Sequence, residues 1–215
     1  MDIRIDKSIM EEITDQKNER NIYIHPNTIA RDIFWQRLEC LYQHIWQYCN
    51  HMHAVMDLGG GSGAFSKGLC QFFQQVDLID LNPDDAMSIK KYFNLNNLNI
   101  IKADICTYKT KNKEYDLIIA ADVLEHFKNL ILPIEFIHSN LKSGGLLMVS
   151  LPTENFIYKF GRFLLRKQKP YDHYHTSCEV MQCITDNQFQ QLSKTFIPKY
   201  GIPIPLLEIA VFKKV

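Results

Sequence analysis

The fold class this sequence predicts is a three-layer α/β domain on a mostly parallel sheet, and three observations predict it. Strand-like and helix-like stretches alternate from residue 53 to residue 152. Several of the strands, among them YDLIIAA (115–121) and LLMVSLP (146–152), are almost continuously apolar, as strands covered on both faces are. The last two strand-like stretches, FQQLSKTFI (189–197) and LLEIAVFKKV (206–215), are separated only by YGIPIP and its neighbours. A parallel crossover needs about a dozen residues or more, so this final pair is antiparallel.

Taken in order, residues 1–24 are polar and weakly patterned, which predicts loose order. From Thr28 to about Tyr48, Ile29, Ile33, Phe34, Leu38, Leu41, Ile45 and Trp46 recur at helical spacing. Asn27 or Thr28 caps that helix. HAVMDLG (53–59) is a buried strand, GAFSKGLCQFF (63–73) a helix and QVDLIDL (75–81) a second strand. Asn82-Pro83-Asp84-Asp85 then opens a helix, with Asn82 as cap and Pro83 in the first position. Asn99 to Ala103 and residues 115–121 are the third and fourth strands. A helix over Pro133–Leu141 stops before Gly144-Gly145, which suit a left-handed cap. Residues 146–152 make the fifth strand. A basic helix (155–167) and a short helix near 177–185 precede the final hairpin, giving seven strands in all.

The chain has 215 residues, enough for one domain with a substantial core. It is read as a single domain over 1–215, with a helical extension at 1–52 and a lid or substrate insertion at 153–186. Lys plus Arg and Asp plus Glu both number 24, so net charge points to no polyanionic partner and nucleic acid is disfavoured. The six cysteines form no C-x-x-C pair, which predicts reduced, mostly buried thiols and a cytoplasmic location. The charged start has no apolar signal core, and no stretch of about 18 apolar residues exists to span a membrane.

The densest chemical signal is VMDLGGGSGAFS, Val55 to Ser66. Glycines this close together open torsions closed to other residues and let a ligand approach the main chain. Gly59 to Ala64 fits G-x-G-x-x-A, a dinucleotide signature. Three features favour S-adenosylmethionine (SAM) instead. Asp57 lies two residues before the first glycine, where a carboxylate suits a sulfonium and an ammonium and repels a pyrophosphate. Asp80 ends the second strand and can accept both ribose hydroxyl protons, although dinucleotide enzymes place an acid similarly. The antiparallel final hairpin is foreign to the standard dinucleotide fold.

VMDLGGGSG, LIDLNP, KADI, YDLIIAADVLEHF and LKSGGLLMVSLPTEN follow one another over about residues 55–155. In this order and spacing the chain resembles the class I SAM-dependent methyltransferases, in particular the bacterial branch that includes the ubiquinone-pathway O-methyltransferases. The resemblance implies a Rossmann-like methyltransferase fold with SAM as cofactor. It implies that Gly59, Gly61 and Gly63 approach the methionine part, with Asp57 close by. It places Asp80, followed by Leu81, at the ribose, Asp104 and Ile105 at the adenine, and Asp122 near the methionine end. The competing structural roles are a plain turn for the glycines, a helix-opening acid for Asp80 and a loop acid for Asp104.

Methyl transfer is an in-line displacement, for which the protein aligns the nucleophile and excludes water. A general base helps a hydroxyl acceptor. His126, in DVLEH, and His175, in PYDHYHT beside His173, are the candidates. A capping or buried role for His126 and an exposed loop for His173 and His175 are the alternatives. Asp122, Glu125 and His126, with His175 as a further donor, have the spacing of an E-x-x-E-H set that binds a divalent ion in some related O-methyltransferases and small-RNA methyltransferases. Here Asp replaces the first Glu, and many relatives carry V-L-E-H with no known metal, so the expectation is no metal. In NFIYKFGRFLLRKQKPY (155–171), Phe156, Ile157, Phe160, Phe163 and Leu164 share a helical face and Lys159, Arg162, Arg166, Lys167 and Lys169 add charge. That is an ordinary lid helix, or a peripheral membrane contact through 155–169. The expected activity is SAM-dependent methyl transfer to a small-molecule or lipid-linked acceptor, at oxygen. The alternatives are a macromolecule methyltransferase, an inactive SAM-binding regulator, or a nicotinamide oxidoreductase.

Overall fold

In the computed structural model, which describes residues 4–14, 22–49, 52–110, 114–153, 173–198 and 205–215, seven strands form one sheet. They are β1 (Ala54–Leu58), β2 (Gln75–Asp80), β3 (Leu98–Lys102), β4 (Tyr115–Ala121), β5 (Leu141–Pro152), β6 (Phe189–Ile197) and β7 (Leu207–Lys214), in the order β3-β2-β1-β4-β5-β7-β6. β3, β2, β1, β4 and β5 pair in parallel. β7 runs antiparallel to both β5 and β6. This is the three-layer, mostly parallel architecture with one reversed strand that the patterning predicted. The candidate acids therefore stand at the carboxyl ends of adjacent parallel strands, where open α/β sheets bind ligands.

Among the described residues six helices flank the sheet: α1 (Lys7–Ile13), α2 (Thr28–Tyr48), α3 (Ala64–Leu69), α4 (Asp84–Tyr92), α5 (Ile131–Asn140) and α6 (Ser177–Asp186). Two buried clusters mark the two faces. One gathers Trp35, Leu38 and Leu41 of α2 with Phe65 and Leu69 of α3 and Ile89 of α4. The other gathers Ile134 and Ile137 of α5 with Val180 and Ile184 of α6. Each such side chain contributes about 1.5–3 kcal/mol on burial. α2 begins where the sequence placed it, because the Asn27 side chain accepts from the Ala30 amide.

Several expectations are corrected. The first 24 residues are not uniformly loose: α1 and a 3₁₀ turn at Ile22–Ile24 form, and Ile5, Met10 and Tyr23 are buried. Ile29 and Trp46 do not share the apolar face of α2, being 63% and 65% exposed. Trp46 meets Phe72 edge-on instead. α3 ends at Leu69, four residues early, in a turn. Asn82 does not cap α4; Pro83 is the cap residue, and the Asn82 amide turns back to donate to Asp80. Gly144 and Gly145 do not cap α5, which passes directly into β5 at Leu141. Gly144, at φ 71°, falls where the β4–β5 register shifts between Tyr115 and Leu117, so the pair accommodates a bulge. The thiols are free, but only Cys40 is buried and Cys106 and Cys178 are exposed. The basic helix at 155–167 and the proposed membrane contact lie outside the described residues. Among the described residues no helix is long and apolar enough to cross a membrane.

Candidate functional site

The glycine loop joins β1 to α3 and is shaped by sterics. Gly59, Gly61 and Gly63 have φ values of 70°, 52° and 79°. At Gly61 that left-handed torsion points the amide at the neighbouring strand, where it donates to Asp80 Oδ2 at 2.9 Å. The side where a Gly61 Cβ would project is open, with nothing closer than the Gly59 carbonyl at 4.0 Å. Gly60 is needed for a different reason: a Cβ there would stand 2.6 Å from Leu78 and 2.9 Å from Asp57 Oδ2. The loop thus lies directly on β2 and on the Asp57 carboxylate.

Asp57 and Asp80 are placed differently. Asp57 is buried beneath the loop and accepts from Ser66 Oγ. Burial pushes its carboxyl up to about 6; the Ser66 hydrogen bond opposes this, and the charge of Asp80 adds to it. Asp80 is half-buried at the end of β2, and its two oxygens accept from the Gly61 and Asn82 amides. Each oxygen keeps a lone pair for further donors. Leu81 follows with 68% of its surface exposed, an apolar side chain left uncovered beside that carboxylate. Asp104 is exposed, and its Oδ1 accepts from the Cys106 amide at 2.9 Å, so its carboxylate organises its own turn. Ile105 is buried in the α5–α6 face of the core.

Asp122 closes the other side. It follows β4 at φ 55°, a torsion costing a non-glycine residue about 1–2 kcal/mol. Three contacts hold it there. Its amide donates to the Ser150 carbonyl at 2.8 Å, Ser150 Oγ donates to its Oδ1 at 2.8 Å, and Arg37 Nη1 donates to its Oδ2. Arg37 is buried, comes from α2, donates also to Tyr23 Oη at 3.1 Å, and lies 4.9 Å from the Phe34 ring centroid. Burial alone would lower the guanidinium's pKa; the Asp122 charge and Tyr23 reverse that and hold it above its ordinary value. Burial raises the Tyr23 phenol. The sequence reading missed Arg37 and Tyr23. A signal was present: Arg37 interrupts the apolar stripe of α2, three residues after Phe34 and four before Leu41.

His126 lies in the 3₁₀ turn Leu124–His126 that continues from β4. Its ring meets that of His173 edge-on, with centroids 4.7 Å apart. Glu125, 1% exposed, completes a group whose ligand atoms all lie within 4.8 Å of one another. His175 is not part of it; its Nε2 lies 3.3 Å from the Lys128 carbonyl oxygen. Asp122 is not part of it either. Among the described residues, those that could hold a metal are therefore Glu125, His126 and His173. A reciprocal capping box between Thr176 and Glu179 starts α6 just beyond and fixes this segment's exit.

Residues 30–195 match the family model described as a methyltransferase domain. The chain is 35% identical over 104 residues to (S)-coclaurine N-methyltransferase of Papaver somniferum, covering 45% of this chain and 28% of that enzyme. It is 27% identical over 145 residues to malonyl-[acyl-carrier protein] O-methyltransferase 2 of Ilyobacter polytropus, covering 65% and 55%. The chain thus spans between about a quarter and about half the length of these curated relatives. The crystal structure of magnesium protoporphyrin IX methyltransferase from Synechocystis PCC 6803, with S-adenosylhomocysteine bound, superposes with a TM-score of 0.72 at 17% identity, covering 98% of this chain and 100% of that one.

Proposed function

The chain belongs to the methyltransferase-domain family, and from that premise we propose that it transfers a methyl group from SAM to a small-molecule or lipid-like acceptor, at oxygen. One observation carries the cofactor reading. The Asp80 carboxylate lies against the Gly61 amide at the carboxyl ends of two parallel strands, beside a glycine whose missing side chain leaves open space. When bound, SAM supplies a methyl group on a carbon already activated by its sulfonium.

The remaining roles belong to the chain. Asp80 accepts the paired hydroxyls of a ribose, and exposed Leu81 offers an apolar face to a base. Ile105 is buried and Asp104 is engaged in its own turn, so they shape the adenine end chiefly through backbone. Asp57 supports the loop from beneath and leaves the ligand surface to Gly59, Gly61 and Gly63. Arg37 presents a buried cation near the carboxyl end of β4, suited to a ligand carboxylate, and Asp122 orients it. His126 is the better-placed group to assist an acceptor hydroxyl, because it stands on the turn leaving β4. His175 is turned to the Lys128 carbonyl and positions the segment before α6. Alignment at the end of the sheet supplies most of the rate, as proximity does for displacement at an activated carbon.

Calorimetric titration of the purified protein with SAM, S-adenosylhomocysteine and NADH tests the cofactor. Micromolar binding of both adenosyl ligands, about a hundredfold weaker in Asp80→Ala, is the expected result. Binding of NADH in their place refutes it. Turnover on O–H and N–H acceptor panels then tests the atom methylated, and tight SAM binding with no turnover on either panel would favour the regulator reading.

A further inference from the structure

We propose that Glu125, His126 and His173 form a binding site for one borderline divalent transition cation, Zn²⁺, rather than for the harder Mn²⁺, Mg²⁺ or Ca²⁺. The spacing Asp122-x-x-Glu125-His126 suggested a carboxylate-rich set. The structure assembles a different one: Asp122 is turned to Arg37 and Ser150, and its oxygens are not among the grouped ligand atoms. The group brought together is one carboxylate and two imidazoles, with ligand atoms within 4.8 Å of one another. Imidazole selects borderline cations, whereas hard cations take oxygen ligands and Mg²⁺ keeps most of its water. Three protein ligands of His₂Glu type also leave a coordination position open.

The frame that holds this group needs no ion. The Tyr174 amide donates to the Glu125 carbonyl at 2.9 Å, tying the His173 segment to the turn after β4. Lys128 Nζ lies 5.6 Å from the Tyr174 ring centroid, and His175 contacts the Lys128 carbonyl, so the tie is made three times. Ligands about 2.1 Å from a tetrahedral ion stand about 3.4 Å apart, so loading draws the side chains together by about 1 Å. Glu125 is almost fully buried, and a carboxylate there costs least with positive charge beside it. With the ion bound, His126 is a ligand and no longer a base, and an acceptor oxygen fills the open position; that consequence, unlike the binding itself, rests on the methyltransferase reading.

The test is titration of chelator-stripped protein with ZnCl₂, MnCl₂ or MgCl₂ alone, with bound metal counted by mass spectrometry. One equivalent of Zn²⁺ is expected, bound more tightly than Mn²⁺ and far more tightly than Mg²⁺. Affinity should fall about tenfold or more in both Glu125→Gln and His173→Ala, and stay unchanged in Cys178→Ser, whose exposed thiol lies outside the group. If Glu125→Gln does not fold, His173→Ala decides alone, since its side chain is only half-buried. Absence of Zn²⁺ binding, preference for Mg²⁺, or Zn²⁺ affinity unchanged in His173→Ala overturns the proposal; the last result would put the ion elsewhere on the protein. S-adenosylhomocysteine is titrated into His173→Ala in parallel. Unaltered affinity there separates loss of the metal site from failure of the cofactor reading.

Discussion

The two halves of the candidate site are built in opposite ways. The half around the glycine loop comes from residues 57–63 and the end of the adjacent strand, and its geometry is mostly backbone. Its defining contacts are an amide donated to Asp80 and a close approach of Gly60 to Leu78. The half around Asp122 is collected from five places: the 3₁₀ turn at Tyr23, helix α2, the turn after β4, strand β5 at Ser150, and the segment before α6. Its distinguishing contacts are between side chains, most of them charged or ionisable. A backbone cradle constrains which residue types fit but carries little charge. A buried charged network fixes geometry through electrostatics, and its members fail together. On this reading the first half holds the nucleoside end of the cofactor, and the second meets both its methionine end and the acceptor.

The sharpest way to break the comparison is to remove Arg37. Arg37→Met leaves Asp122 partly buried without its cation and should lower unfolding free energy by about 3–5 kcal/mol, read by denaturant titration. Arg37→Met with Asp122→Asn should recover part of that loss, because the orphaned charge is gone. An Arg37→Met protein as stable as the parent would mean that the pair is not formed in solution.

A smaller effect sharpens the contrast from the loop side. Burial raises the Asp57 carboxyl from 3.8 to about 6, so the folded state holds this proton more tightly than the unfolded state does. The group's contribution to stability is complete below pH 3.8 and is lost as pH rises through about 6, by about 3 kcal/mol in total. In Asp57→Asn that decline should vanish. The stability of the parent relative to the variant should therefore fall between pH 4 and pH 6 and be flat above about pH 7. A difference that does not change over that window would show that Asp57 is charged throughout.

The smallest effect is expected at Gly61→Ala. The added methyl meets open space, so the cost is the left-handed torsion alone, about 1–2 kcal/mol in stability. Cofactor affinity should suffer more than stability, since the methyl occupies the side left for the ligand. Equal losses in both would mean that the loop's glycines serve folding only.

What could be read from the sequence follows the same division. Periodicity placed all seven strands and α2, and the glycine loop with Asp80 was visible as a motif, because neighbouring residues determine torsions, strand burial and turn chemistry. The errors were also local. Asn82 looked like a cap until its amide was found returning to Asp80. Gly144 and Gly145 looked like a helix end because a bulge between two strands has no signature within one of them. The tertiary structure alone decided the rest. Arg37 reaches Asp122 across 85 residues of chain, and His126 meets His173, whose position depends on how the segment before α6 is tied to the turn after β4. Short-range rules cannot specify such contacts, because sheet order and helix packing bring them about. A buried charge declares its partner only once the chain between them has folded.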